Sequence, residues 1–188
     1  GITGSWAANK VTINGTPTVD GTFNYTVTTT GGCTPATTSG TITVNPTPSV
    51  DHPTNQEVCN GLPTAAISFT GSIINTTYTW INSKPAIGLL ASGTGDIPSF
   101  TALNTSTTPI VATITVTPTT NGCPGPSKTV KITVNPSPIV IFTPTTQAIC
   151  SGGTSALVTL NSNTPGATFN WTATQPLGIT EAIQTTGT

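Results

Sequence analysis

Four separate landmarks in this chain return after about ninety residues. Val44-Asn45-Pro46-Thr47-Pro48 recurs as Val134-Asn135-Pro136-Ser137-Pro138, 90 positions on. Glu57-Val58-Cys59-Asn60-Gly61 recurs as Ala148-Ile149-Cys150-Ser151-Gly152, and Thr77-Tyr78-Thr79-Trp80 as Thr168-Phe169-Asn170-Trp171, both 91 on. Gly32-Cys33 matches Gly122-Cys123 at 90. Self-similarity at a long fixed period marks an array of like units in series. In such an array each unit contacts only its neighbours, so stability is nearly local.

The register divides the chain. Residues 49–138 make one complete repeat. Residues 1–48 resemble the second half of a repeat, and residues 139–188 the first half of the next. The chain is therefore expected to be an excerpt of a longer protein. The Pro-x-Pro segments at 45–48 and 135–138 mark the joints, and paired prolines stiffen a short connection.

Strict apolar/polar alternation signals a half-buried strand. Thr22-Phe23-Asn24-Tyr25-Thr26-Val27-Thr28 alternates, as do Thr41–Val44, Thr113–Thr117 and Lys131–Val134. Threonine suits the outer face because it is both β-branched and polar. No stretch has helical period. Within the complete repeat, strands are predicted near 49–52, 65–70, 76–81, 99–103, 110–118 and 127–134. Loops are predicted from Thr54, Gly93 and Thr119. Short strands at this density read as an all-β fold, a series of immunoglobulin-like β-sandwiches with Trp80 buried on the third strand.

Composition removes several functions. Only 5% of the residues are charged, with four Lys, no Arg and a net charge of −1. A nucleic-acid partner requires basic residues to neutralise phosphates, so none is expected. Apolar runs are only a few residues long, whereas a membrane span needs about 18. With 46 threonines, 19 Gly and 17 Pro the chain could be disordered, but its regularly spaced aromatic and β-branched residues argue against that.

The cysteines are Cys33, Cys59, Cys123 and Cys150. The simplest pairing joins Cys59 to Cys123, with Cys33 and Cys150 pairing outside this stretch. A bridge of that span would stabilise by roughly 4 kcal/mol in the chain-entropy model. One objection stands: the two cysteines fall at opposite ends of an immunoglobulin-like sandwich, and a disulfide needs Cα atoms within about 7 Å. Bridges between neighbouring repeats are the alternative, and free buried thiols a third. Zinc is disfavoured, because there is no Cys-x-x-Cys and no nearby His.

No constellation of catalytic residues emerges. His52, the lone histidine, sits beside a joint and reads as a solvated linker residue. The acids Asp20, Asp51, Glu57, Asp96 and Glu181 form no glycosidase pair. Asp96 in Gly93-Thr94-Gly95-Asp96 reads as a turn residue rather than a calcium ligand. The Gly-rich segments at 93–95 and 152–154 lack a phosphate-loop lysine. The Thr-x-Thr runs suggest ice binding, yet a period of 90 does not build one flat face. Asn14, Asn24, Asn75, Asn104 and Asn170 begin Asn-x-Ser/Thr sequons. Trp80 and Trp171 sit at equivalent strand positions and read as core. Trp6, in a segment with no strand pattern, is the one candidate ligand contact. No enzyme activity, cofactor or metal is expected.

Two motifs carry a family resemblance. Residues 15–27, Gly-Thr-Pro-Thr-Val-Asp-Gly-Thr-Phe-Asn-Tyr-Thr-Val, resemble a signature of bacterial Ig-like repeats. Residues 59–138 resemble PKD-like repeats through Cys-x-Gly, Tyr-x-Trp, Ile87-Gly88-Leu89, Gly93–Phe100 and the final Val-Asn-Pro-x-Pro. The first repeat has no counterpart to Gly93–Phe100, so two repeat subtypes are expected to alternate. The resemblance implies large surface adhesins of Bacteroidetes, exported by type IX secretion and carried by gliding machinery. It transfers no catalytic residue. The expected role is a stiff extracellular spacer on the cell surface, partnered by neighbouring repeats and by that machinery. The rivals are a module binding a polysaccharide or surface, and an accessory region of a secreted hydrolase.

Overall fold

The computed structural model describes residues 1–172 and 186–187. Its strands in chain order are β1 (Ile2–Ala7), β2 (Lys10–Gly15), β3 (Gly21–Thr28), β4 (Thr37–Val44), β5 (Gln56–Cys59), β6 (Thr77–Asn82) and β7 (Ser92–Thr94). They continue with β8 (Ile110–Thr120), β9 (Cys123–Pro124), β10 (Lys128–Asn135), β11 (Val140–Thr143), β12 (Thr159–Ser162), β13 (Trp171–Thr172) and β14 (Thr186–Gly187). Among the described residues the protein is all-β, apart from one 3-10 turn at Pro85–Ile87.

One face of the period-two pattern builds the core. Ala112, Ile114 and Val116 on β8 are buried, and so are Val130, Ile132 and Val134 on β10. The antiparallel register sets Ile132 opposite Ala112 and Val130 opposite Ile114. Thr113, Thr115 and Thr117 take the other face. The main sheet runs β5-β10-β8-β6-β7, with β9 beside β8. Strand β5 runs parallel to β10, Val58 opposite Val134.

The facing layer is less regular. Ile67 and Ile97 exchange both backbone hydrogen bonds, at 2.8 and 2.9 Å. Ala102 donates to Leu62 (2.9 Å), Thr64 to Phe100 (2.9 Å) and Asp51 to Thr70 (2.8 Å). Pro63 and Pro98 lie in these stretches, and proline lacks the N–H a continuous ladder needs. Val50, Ile67, Phe69, Ile87, Leu89, Ile97 and Ala102 close the core from this side. These sheets are consistent with an immunoglobulin-like fold.

Three predicted spans, near 76–81, 110–118 and 127–134, are regular strands. Those near 65–70 and 99–103 carry only isolated bridges, Ile67 to Ile97 and Thr101 to Pro63, and the one near 49–52 only the Asp51 hydrogen bond to Thr70. All three predicted loops overlap strands. The stretch from Thr54 contains β5, whose only aliphatic side chain is Val58, so an edge strand carries no alternation. The stretch from Gly93 overlaps β7, three small polar residues. Thr119 and Thr120 continue β8.

Trp6 is likewise corrected: it lies on a strand. β1 and β2 form a hairpin in which Trp6 faces Val11. Its two turn residues, Ala8 and Asn9, have φ of 50° and 58°. Positive φ at both positions is what a tight two-residue turn of the type I′ kind requires. Alanine is unusual there, so the turn carried no clear signal.

The repeat is visible in backbone geometry. On β3 and β4, Phe23 pairs with Ile42. Ala112 stands 89 residues past Phe23 and Ile132 stands 90 past Ile42, and they pair in the same way. One extra loop residue before Cys123 accounts for the difference. Gly61 and Gly152, 91 apart, have φ of 83° and 82°, a left-handed conformation that glycine adopts without a Cβ penalty.

Candidate functional site

The polar groups of the central unit are directed at its own backbone. Asn104 is 3% exposed. Its Nδ2 donates to Val134 O (2.7 Å) and Thr108 O (2.9 Å), and its Oδ1 accepts from Ser106 N and Oγ. Its own N–H reaches Asn60 Oδ1 at 2.8 Å. One side chain thus ties the loop before β8 to the end of β10. A sequon at Asn104 is closed to glycosylation in the folded state, because the acceptor nitrogen is buried and engaged. Asn14, Asn24, Asn75 and Asn170 are exposed.

Gln56 forms a second brace. Its amide exchanges two hydrogen bonds with the backbone of Ala65, at 3.0 and 2.9 Å. Gln147 does the same with Ala156, at 2.9 and 2.7 Å. The pair recurs at 91 residues, and the spacing Gln-x8-Ala in both repeats was the available signal.

The acids act as braces too. Asp51 Oδ2 accepts from Thr70 Oγ1 at 2.6 Å, and Asp96 Oδ1 accepts from Phe69 N at 2.9 Å. Glu57 Oε1 accepts from Asn135 Nδ2 at 2.8 Å. Asp20 has an exposed side chain, and Glu181 lies outside the described residues. His52 Nδ1 donates to Pro53 O at 2.9 Å, beside an open groove lined by Asp51, Thr54, Gln56 and Thr70. Among the described residues no three His, Cys, Asp or Glu side chains converge as a metal site would require. No helix among them is long and apolar enough to cross a membrane.

Tyr78 bears the electrostatic imprint of these acids. Burial pushes its phenol above the ordinary value of 10.0, and the carboxylates of Asp51 and Asp96 push it the same way. The unfolded chain therefore loses this proton first as pH rises. Its contribution to stability is intact below about pH 10 and is lost as pH climbs from there through the folded-state value. Urea midpoints should fall more steeply above about pH 10 in the natural protein than in Tyr78→Phe.

The expected Cys59–Cys123 bridge is not present: all four cysteines are free. Topology supplies the reason. Cys59 stands opposite Asn135, at the end of β10. Cys123 stands opposite Thr120, in the hairpin before β10 begins. The length of β10 lies between them, about 23 Å at ~3.3 Å per residue, far beyond disulfide reach. Cys33 and Cys150 are exposed in the flanking segments.

The tryptophans divide as follows. Trp80 is 5% exposed and sits in the core. Trp171 is half-buried on β13, opposite Gly187. Trp6 is 71% exposed. By strand alternation it shares a face of the β1–β2 hairpin with Ile2, Val11 and Ile13.

Both joints rest on the central unit. Pro48 is fully buried, and its carbonyl lies where a Cβ on Gly125 would be, so only glycine fits there. At the other end, Asn60 Nδ2 approaches Ser137 Oγ at 3.4 Å.

Residues 53–138 match the family model described as a PKD-like domain. No curated protein matches the chain. The match begins within the stretch that carries β5 and ends at the Pro-x-Pro joint, so it covers the main sheet and nearly all of its facing layer. Residues 53–138 are a PKD-like domain.

Proposed function

We propose that this chain is a stretch of the structural repeat region of a large extracellular adhesin, of the kind typified by the gliding-motility protein SprB. In this reading it has no enzymatic role. It serves as a stiff spacer that holds an adhesive part away from the cell surface. The observation that carries the proposal is the seating of the joints. Pro48 is buried against the hairpin at Gly125, and Ser137 is within reach of Asn60. A connection packed onto the unit cannot swing as a free linker does. The exposed Thr-rich faces and the scarcity of charge suit a stalk that stays soluble and interacts weakly. The partners are neighbouring repeats, together with the type IX secretion and gliding machinery.

A polypeptide carrying several such units in series, stretched between two surfaces, tests this. Unfolding should come in evenly spaced events, each releasing about 300 Å of chain for a ninety-residue unit. One cooperative event for the whole array would refute the spacer. The second reading, a module binding a polysaccharide or surface, is favoured by the exposure of Trp6. It requires that glycan binding exist and that Trp6→Ala abolish it.

A further inference from the structure

The central unit carries one cysteine at each pole. Cys59 ends β5 opposite Asn135, the last residue of β10. The next residue, Asn60, donates its N–H to Asn135 O at 2.8 Å and its Nδ2 to Ser137 Oγ at 3.4 Å. Cys59 therefore stands where the chain leaves the unit. Cys123 begins β9, in the hairpin before β10. Two residues on, Gly125 donates to Pro118 O at 2.9 Å and lies against the carbonyl of Pro48. Cys123 therefore stands where the chain enters.

The repeat brings both poles to one joint. Ser137 and Pro138 are consecutive, and Pro138 is the counterpart of Pro48, 90 residues on. Ser137 is held by the residue after Cys59. Pro138, by the repeat, meets the Gly125 counterpart of the following unit, two residues from that unit's Cys123 counterpart. The exit cysteine of one unit and the entry cysteine of the next thus flank adjacent residues of the same joint. The two cysteines inside one unit are instead kept apart by the length of β10. The neighbouring segments keep both positions. Cys33 falls between Thr28 and Thr37, the paired ends of β3 and β4, as Cys123 falls in the hairpin after β8. Cys150 O accepts from Gly153 N at 2.9 Å, as Cys59 O accepts from Leu62 N at 3.1 Å, the same turn 91 residues apart. Along the sequence the four cysteines alternate entry, exit, entry, exit, and the cross-joint partner of each falls outside residues 1–188.

We propose that Cys59 of one unit and the Cys123 counterpart of the following unit form a disulfide across the joint. Two thiols lose two protons and two electrons, and one S–S bond forms. The oxidant is a second disulfide, small-molecule or protein-borne, which leaves as two thiols. The proposal rests on the reading of the chain as part of an extracellular array, the setting in which such bonds persist. Units joined through both backbone and sulfur cannot swivel about the joint.

Two copies of residues 49–138 in one polypeptide test it, since each copy holds the whole closed core. One variant keeps only Cys59 of the first copy and Cys123 of the second, with Cys→Ser at the other two positions. The converse variant keeps only Cys123 of the first copy and Cys59 of the second. Far-UV circular dichroism of the two should coincide, because neither alters a core residue. In a buffer of reduced and oxidised glutathione, the first variant should lose both thiols to an intramolecular bond, read by maleimide labelling and by mass. The converse variant should keep both thiols. A first variant that keeps its thiols overturns the proposal, and so does a converse variant that closes a bond as readily. Neither result touches the spacer reading, because the stretching steps of about 300 Å per unit are read with the thiols reduced.

Discussion

Trp80→Ala removes about 3–5 kcal/mol from the stability of the central unit. The indole is buried between two partners fixed by register, Val116 on one side and Gly93 on the other. A Cβ at Gly93 would fall inside the ring, so the space was made for tryptophan and nothing else fills it. Truncation leaves a ring-sized cavity in a sheet whose strands cannot close on it. Gly93→Ala should also destabilise, by about 1–3 kcal/mol, because the ring or β7 must move. Trp80→Phe should cost clearly less than Trp80→Ala. The indole Nε1 is buried with no hydrogen-bond partner among the described residues, and deleting such a donor recovers part of its desolvation cost. Urea unfolding followed by circular dichroism ranks the three substitutions. A Trp80→Ala loss under about 1 kcal/mol would mean that the ring is not packed as described.

Asn104→Ala should cost about 2–4 kcal/mol. The substitution removes a donor from the carbonyls of Val134 and Thr108, the second of which keeps only the Ser106 hydroxyl, and removes the acceptor for Ser106. Asn104→Asp should not rescue it, because a carboxylate cannot donate to two carbonyls and would carry charge into a buried position. Asn75→Ala is the contrast. Asn75 is exposed, its φ is 62°, and only the modest strain of a left-handed alanine is expected. Chemical denaturation of the three variants checks this. Equal losses at Asn75 and Asn104 would contradict the role assigned to the buried amide.

The same residue shows where reading the sequence stops. Asn104-Thr105-Ser106 reads as a surface sequon, and nothing local reveals that Val134 lies over it. Where an element carries its own period, as in Thr113–Thr117 or Lys131–Val134, the strand and its buried face were legible. Trp80 was legible as core because the position recurs at Trp171. β5 was not, because an edge strand with one aliphatic side chain has no pattern to display. The β1–β2 hairpin was missed because Ala8 occupies a turn position normally advertised by glycine or asparagine. Cysteine pairing depends on which end of a strand each residue reaches. The sequence raised that doubt, and the parallel seating of β5 on β10 decided it against Cys59–Cys123. Gln56 was missed although its spacing to Ala65 is repeated at Gln147 and Ala156.

The central claim is that the central unit is a closed sandwich that holds its own core. Native-state hydrogen exchange on the 188-residue chain tests it most directly. Amides of β6, β8 and β10 should exchange only through global unfolding of the central unit. Those of β1–β4 and β11–β12 should exchange orders of magnitude faster, at local-opening rates. Slow exchange spread evenly from β1 to β12 would show a single cooperative domain and contradict the account.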